Sequence, residues 1–374
     1  MGSLPVLVDA TSLPPDRGGV ARYIGGLLSG LEEAGHTVHV VAKPRDLAWL
    51  RESAPGHTYR AAPHAVSRRP VRLLWEQLLL PREVRRAGAT TLHSPHYTFP
   101  LVLAARTVVT LHDATFFSDP GAHSLLKRSF FRTWTRLARR LARATLTPSA
   151  ATADELSRRV PSTVPNTVAH LGVDSALFMV PAREAVVEFA RRHQLDPDRG
   201  WVAFLGTVEP RKSVPALVRA HGELAETTRD VPPLLVSGAL GWDEEAAALL
   251  REAGDAPGSP LRYLGYLPLD ELSPFLGGST LVVYPSTGEG FGLPVLEAMA
   301  CGGAVLTTRR LALPEVGGDA VAYSEPDAAS FAVALGDLLG DADARRALSE
   351  AGVARAGLFT WRACATSHLP VYES

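Results

Sequence analysis

The 374-residue chain is 46% hydrophobic and 21% charged, a balance that fits two globular domains and excludes a disordered chain. Its 32 Gly and 29 Pro follow no period, which excludes collagen-like and coiled-coil repeats, and two cysteines, Cys301 and Cys364, are too few for a zinc site or a disulfide framework. The net charge of −1 is split: residues 1–180 hold 22 Lys+Arg against 13 Asp+Glu (+9), and the remainder 16 against 26 (−10). A basic first half points to an anionic partner, namely a membrane surface, a phosphorylated acceptor or nucleic acid. No uncharged apolar run reaches the roughly 18 residues of a membrane span. The start, M-G-S-L-P-V-L-V-D-A, lacks the basic and apolar regions of a secretory signal, so the expected location is the cytoplasm.

In chain order, Leu4–Val8 reads as a buried strand, followed by a helix over Val20–Ala34 that Gly35 caps. Further strands are expected at Thr37–Ala42, Thr91–His93, Thr107–His112 and Thr145–Pro148, with a long helix from about Ser124 to Ala144. After the Pro/Asp-rich segment Asp196–Gly200 the pattern restarts. Strands are expected at Trp201–Leu205, Leu234–Ser237, Leu261–Gly265, Leu281–Tyr284 and Ala304–Thr307, with helices at Val214–Ala225 and Pro294–Ala300. Alternating strands and helices predict parallel sheets covered on both faces, in two doubly wound α/β domains. Such sheets bind ligands beyond the carboxyl ends of their strands, so residues just after strands carry the information.

The strongest local signal is E-G-F-G-L-P-V-L-E-A, from Glu289 to Ala298, directly after the strand L-V-V-Y-P-S. Gly290 and Gly292 allow close backbone approach to an anion, and Pro294 fits the first turn of a helix whose amino end attracts phosphate. Glu289 and Glu297 suit sugar hydroxyls better than phosphate. A plain glycine turn with a capping acid is the competing reading. A second signal, Gly206-Thr207-Val208-Glu209-Pro210-Arg211-Lys212-Ser213, follows the strand W-V-A-F-L. Arg211 and Lys212 there suit a pyrophosphate, against the commoner fate of a solvated basic pair. His112 in Leu111-His112-Asp113 would end a strand, and Gly18-Gly19 lies in a glycine-rich loop, Asp16-Arg17-Gly18-Gly19-Val20, before the first helix. Taken singly, a core or surface histidine and a plain turn would explain these two.

Competing chemistries fail on spacing. A dinucleotide dehydrogenase needs G-x-G-x-x-G after the first strand and an acid closing the second, but the first strand runs into D-A-T-S-L-P-P and the second ends at Lys43. No Walker motif and no G-x-S-x-G elbow is present. Asp196-Pro197-Asp198 precedes a strand and reads as a turn rather than a metal-diphosphate triplet. His93 and His96 lack a third ligand and read as structural. The stretch Lys127–Arg143 has seven cations and no acid, with Leu126, Phe130, Trp134, Leu137 and Leu141 in one stripe. A solvated helix face is the plainer reading, and contact with anionic lipid the sharper one. No nucleic-acid-reading motif accompanies it.

Taken together these residues resemble a known group. The Gly18-Gly19 loop, His112-Asp113, Thr147-Pro148-Ser149, Gly172-Val173-Asp174, the G-T-V-E-P-R-K loop and the acid pair Glu289…Glu297 occur in the order found in retaining glycosyltransferases of the GT-B fold, in family four of the sequence-based classification. Two departures are Ser213, where that family often has Asn, and Leu171 in place of Asn before Gly172-Val173-Asp174. The resemblance implies two Rossmann-like domains facing across a cleft. Residues 1–180 would bind a glycan, lipid-linked or small-molecule acceptor, residues 181–356 a nucleotide sugar carrying mannose, glucose or N-acetylglucosamine, and a last helix, about 357–374, would pack back on the first domain. Arg211 and Lys212 would hold the donor diphosphate with the amides of Phe291, Gly292 and Leu293. Glu289 would hold sugar hydroxyls and Glu297 the ribose. Gly18, Gly19 and Gly206 would approach the donor, His112 would contact the transferred sugar, and the base would lie near Gly265-Tyr266-Leu267. No cofactor or metal is implied. Retention would follow front-face attack, with the departing phosphate taking the acceptor proton. The rival on the same scaffold is a non-catalytic nucleotide-sugar-binding protein.

Overall fold

A computed structural model describes residues 2–14, 18–118, 125–254 and 258–373. Asp16, Arg17 and Ser124 lie outside them. The chain forms two compact units, Met1–Gly172 with Phe359–Ser374, and Val173–Leu358. Residues 173–180 therefore group with the second unit rather than with the first domain to which the sequence assigns them. There the Met179 carbonyl accepts a hydrogen bond from the Ser273 hydroxyl. The return to the first unit starts at Phe359 rather than at 357.

Seven strands form the sheet of the first unit: β1 (Gly2–Asp9), β2 (His36–Ala42), β3 (Thr58–Ala61), β4 (Thr91–Ser94), β5 (Thr107–Thr110), β6 (Ala144–Thr147) and β7 (Asn166–Val168). All pairs are parallel, in the order β3-β2-β1-β4-β5-β6-β7. The second sheet contains β8 (Val202–Leu205), β9 (Leu234–Ser237), β10 (Leu261–Gly265), β11 (Leu281–Tyr284), β12 (Val305–Thr308) and β13 (Ala322–Ser324). These are also parallel, ordered β10-β9-β8-β11-β12-β13. Each sheet reverses its winding once, between β1 and β4 and between β8 and β11. Crevices for ligands open at such switch points. The loops after β8 and β11 carry Gly206–Lys212 and Ser286–Gly292, so the topology itself brings the two strongest sequence signals side by side.

The expected strands are present within a residue or two, except that β5 stops at Thr110 and leaves Leu111–Ala114 irregular. The predicted helix from about Ser124 is observed over Leu125–Leu141, but its apolar stripe only partly coincides with its buried face. Leu126 is 84% exposed, whereas Thr135, Ala138 and Arg139 are buried. Phe131, Trp134 and Leu137 pack against Tyr97, Phe99, Val109 and Leu111. Several of its cations have structural partners in the fold. Arg132 donates to the Phe116 carbonyl and Arg139 to the Val160 carbonyl (both 2.6 Å), Arg143 donates to the Thr91 hydroxyl (3.0 Å), and Arg136 lies over the Phe117 ring. The face solvated by seven cations is thus a packed helix with its cations turned inward in part. Among the described residues no helix is long and apolar enough to cross a membrane.

The last helix, Trp361–Glu373, packs against the first, Gly19–Glu33. Glycine makes this possible. A Cβ on Gly26 would stand 2.0 Å from the Trp361 indole, one on Gly30 2.0 Å from the Trp361 carbonyl oxygen, and one on Gly172 2.2 Å from the Trp361 amide. The indole sits in a socket with no room for a methyl group. Gly26→Ala is expected to destabilise the fold by about 1–3 kcal/mol or more through overpacking, read as a lowered denaturation midpoint. An unchanged midpoint would mean that the helix is not seated on this socket.

Candidate functional site

In the second unit the chain leaves β8 through Gly206 and makes a short 3-10 turn, Pro210–Lys212. Ser213 then takes a left-handed conformation (φ 47°, ψ 37°) and opens the helix Val214–Thr227. The backbone of Thr287, beyond β11, donates to the Arg211 carbonyl at 2.8 Å, which locks the two loops together. Glu289 lies at the centre. Its Oε1 accepts from Lys212 Nζ (2.5 Å), the Tyr284 hydroxyl (2.8 Å) and the Ser286 hydroxyl (2.9 Å). Its Oε2 pairs with an Arg211 Nη1 at 2.5 Å. Arg211 also reaches Glu209 (2.9 Å) and the Gly288 carbonyl (3.0 Å). The Lys212 ammonium stands 4.4 Å above the Tyr284 ring.

Both Glu289 and Lys212 are buried, at 7% and 5% exposure, so their charges persist only as partners. Burial pushes the Glu289 carboxyl up, but Arg211 and Lys212 more than reverse this and hold it at about 2. Burial pushes the Lys212 ammonium down, Arg211 adds to that, and Glu289 opposes it, leaving it at about 8. The arrangement is a preset cationic pair, steered by one carboxylate, at the carboxyl edge of a parallel sheet.

Beside it, Gly292 (φ 104°) precedes the helix Leu293–Ala300, with Pro294 in its first turn. A Cβ on Gly292 would approach Leu313 to 2.8 Å, so both conformation and space require glycine. Phe291 and Leu293 are buried, and Gly290 lies in the bend between Glu289 and the helix. Glu297 is buried within the same helix, about one turn below its amino end. Tyr266, 66% exposed, and the buried Leu267 follow β10, two strands from β8 on the same edge. Asp196 accepts from the Asp198 amide at 2.9 Å, an Asx turn.

In the first unit Gly18 is the N-cap of the first helix, its carbonyl accepting from Ala21 and Arg22. A Cβ on Gly19 would meet no atom within 4 Å, so the fold itself does not require glycine there. His112 is half-buried and donates from Nε2 to the Pro95 carbonyl at 2.6 Å, which leaves Nδ1 as its available atom. Burial lowers its basicity, opposed by the Pro95 carbonyl and Asp113. Asp113 is committed to the backbone and hydroxyl of Thr115 (2.9 and 2.7 Å). His93 is fully buried between Thr110 and Tyr372, and His96 packs against Tyr97 and Phe131. Among the described residues no three His, Cys, Asp or Glu side chains cluster as metal ligands.

Sequence reasoning missed Glu209, Tyr284 and Ser286, the companions of Arg211 and Glu289. Their signal was position alone: each lies in a loop or strand end that the sheet order makes adjacent. It also missed the left-handed Ser213, where Asn is favoured because its side chain supports that conformation. Ser213→Asn is expected to stabilise the chain by about 0.5 kcal/mol, measured as a shifted denaturation midpoint. No gain would argue against a strained backbone at this position.

Residues 17–177 match the family described as Glycosyltransferase Family 4, and residues 187–355 that described as Glycosyl transferases group 1. The chain is 31% identical over 282 residues to the O-antigen chain mannosyltransferase B of Escherichia coli, covering 75% of this chain and 73% of that protein. It is 33% identical over 211 residues to the D-inositol 3-phosphate glycosyltransferase of Corynebacterium jeikeium, covering 54% of this chain and half of that one. The structure of HepE from Anabaena in complex with UDP and glucose superposes with a TM-score of 0.75 over all of both chains, at 17% identity. That last likeness is one of fold.

Proposed function

The chain belongs to glycosyltransferase family four, with its fold of two Rossmann-like domains, and from that premise we propose that it moves a hexose, with mannose the leading case, from a nucleotide-diphosphate sugar to an acceptor hydroxyl with retention and without a metal. The single observation that carries the reading is the buried Glu289–Arg211–Lys212 cluster beside the amino end of the Leu293–Ala300 helix. Two cations held at fixed positions, with the amides at Phe291, Gly292 and Leu293, are what a departing diphosphate needs as its charge grows. Glu289 orients both cations and offers its carboxylate to sugar hydroxyls. Glu297 takes the ribose. Gly206 lets the donor approach β8, and the base lies against Tyr266 and Leu267.

His112 meets the transferred sugar through Nδ1, and the Gly18-Gly19 loop approaches the donor phosphates. In the transfer, the bond from the anomeric carbon to the phosphate oxygen breaks as the acceptor oxygen attacks the same face. The acceptor proton passes to the departing phosphate. The first unit binds the acceptor. Mannose is favoured by the curated relative matched over most of its length, an O-antigen mannosyltransferase, which also favours a cell-surface glycan or lipid-linked acceptor.

Incubation with a panel of donors, with and without acceptors, tests this reading. Release of nucleoside diphosphate, an unchanged anomeric configuration by NMR and insensitivity to chelator are expected. Tight donor binding without turnover would instead mark a non-catalytic sugar-nucleotide binder. Lys212→Ala is expected to lower turnover by ~10²-fold or more if it acts on the transition state.

The pH dependence follows from Lys212, whose ammonium must be protonated to hold the diphosphate. Donor kcat/KM is expected to hold its plateau below pH 8 and to fall as pH rises through about 8. Glu289→Gln removes the group that raises Lys212 and should move this limb to lower pH. A limb that stays in place would separate the two residues.

Leu125 and Leu126, 73% and 84% exposed beside Lys127 and Arg128, favour peripheral contact of this helix end with anionic lipid on the cytoplasmic face. Salt-sensitive co-sedimentation with anionic vesicles is the expected result, and its absence would end the idea.

A further inference from the structure

A chain of hydrogen bonds runs through the interior of the first unit. His368 Nδ1 lies 2.8 Å from the Cys364 carbonyl oxygen, and His368 Nε2 2.8 Å from the Tyr23 hydroxyl. The Tyr23 hydroxyl is 2.8 Å from Thr110 Oγ1, which is 2.8 Å from His93 Nε2. His93 Nδ1 ends the chain 2.8 Å from the Tyr372 hydroxyl. All five side chains are buried.

One anchor fixes the direction of every link. A carbonyl oxygen only accepts, so His368 Nδ1 donates to Cys364 and, in the neutral ring, Nε2 accepts. The Tyr23 hydroxyl therefore donates to His368 and accepts from Thr110. Thr110 has then spent its one proton and accepts from His93 Nε2. His93 Nδ1 accepts from Tyr372. The two histidines are held in opposite tautomers, the Nδ1–H form at His368 and the Nε2–H form at His93. Burial supports the neutral rings, since it lowers His368 to about 4 and places His93 well below its ordinary value.

The chain lies directly beneath His112. Thr110 is two residues before His112 and His93 two residues before Pro95, whose carbonyl receives the His112 proton. Thr110 ends β5 and His93 lies next to the end of β4, so the chain ties together the two strand ends after which the donor and the acceptor of that bond follow. The Tyr23 ring meets the His112 ring edge to face, with centroids 5.0 Å apart and planes at 80°. Tyr23 stands four residues after Gly19 on the first helix, and His368 and Tyr372 stand on the last.

We propose that Tyr23 is a positioning residue for His112, held by a one-way hydrogen-bond chain that starts at the Cys364 carbonyl and makes the last helix part of the site's support. This rests on the reading of His112 as the group that meets the transferred sugar. Tyr23 touches no reacting atom. It fixes the His112 ring so that Nε2 stays on Pro95 and Nδ1 keeps one direction.

The test uses the full chain. Nitrogen-15 NMR of the imidazoles is expected to show the Nδ1–H tautomer at His368 and the Nε2–H tautomer at His93 and His112. Tyr23→Phe keeps the ring against His112 but removes the central link. It should lower kcat about ten-fold with donor KM held within about two-fold, as a misplaced group does, and shift the His112 nitrogen resonances, because the ring against it is no longer tethered through its hydroxyl. Thr110→Val should give the same His112 spectrum, and Thr110→Ser, which keeps the hydroxyl, should restore the wild-type pattern.

An unchanged His112 spectrum in Tyr23→Phe, or wild-type histidines in other tautomers, would overturn the proposal, whatever happens to the melting temperature. His112→Ala with undiminished turnover would overturn the role given to His112 itself. The spectra of His93 and His368 would still report on the chain in that case.

Discussion

One carboxylate organises the second unit. Glu289 is buried with two cations and two hydroxyls converging on it, and each of these groups would be costly to bury alone. Without Glu289, Arg211 and Lys212 would repel one another, and Lys212 would hold its proton less tightly. With it, both cations hold fixed positions at a sheet edge that also presents a helix amino end. The loops that carry these groups are joined by a backbone bond from Thr287 to Arg211, so the electrostatics and the chain path reinforce each other. The stability of the cluster and its chemistry are therefore one property.

The first unit solves a different problem. His112 there cannot be fixed by charge, because burial lowers its basicity and Asp113 is spent on a turn. It is fixed by hydrogen bonding and ring packing instead. Neutral groups in a buried chain have definite donor and acceptor roles only when something outside the chain sets the direction. A backbone carbonyl on the last helix does that here. A segment more than two hundred residues from His112 in sequence thus bears on it, through a helix seated in a socket of three glycines.

The fold and the second-unit site were legible in the sequence to different depths. Short apolar runs alternating with amphipathic stretches marked ten of the strands, because burial on both faces leaves few charged residues in them. The strands β3, β7 and β13 escaped notice. They are three or four residues long, lie at sheet edges and expose part of their side chains, so their composition resembles that of loops. The stripe Leu126…Leu141 misled in part, because Trp134 and Leu137 reach the core while Leu126 and Leu141 stay exposed: helical spacing shows that a face exists, not how far along it the core extends. Arg132, Arg139 and Arg143, which read as solvated, found carbonyls and a hydroxyl that only packing supplies.

The sequence by itself determined the parallel α/β class, the restart of the pattern near Trp201, and the pairing of Arg211-Lys212 with E-G-F-G-L-P as the chemical signature. These are local facts of spacing and residue type, fixed along the chain. Only the tertiary structure decided that Glu289 belongs to the cations, that Tyr284 and Ser286 complete its shell, and that Tyr23, Thr110, His93 and His368 form one directed chain. Those contacts join residues dozens to hundreds of positions apart. Their partners are chosen by strand order and helix packing, which no local pattern of side chains encodes.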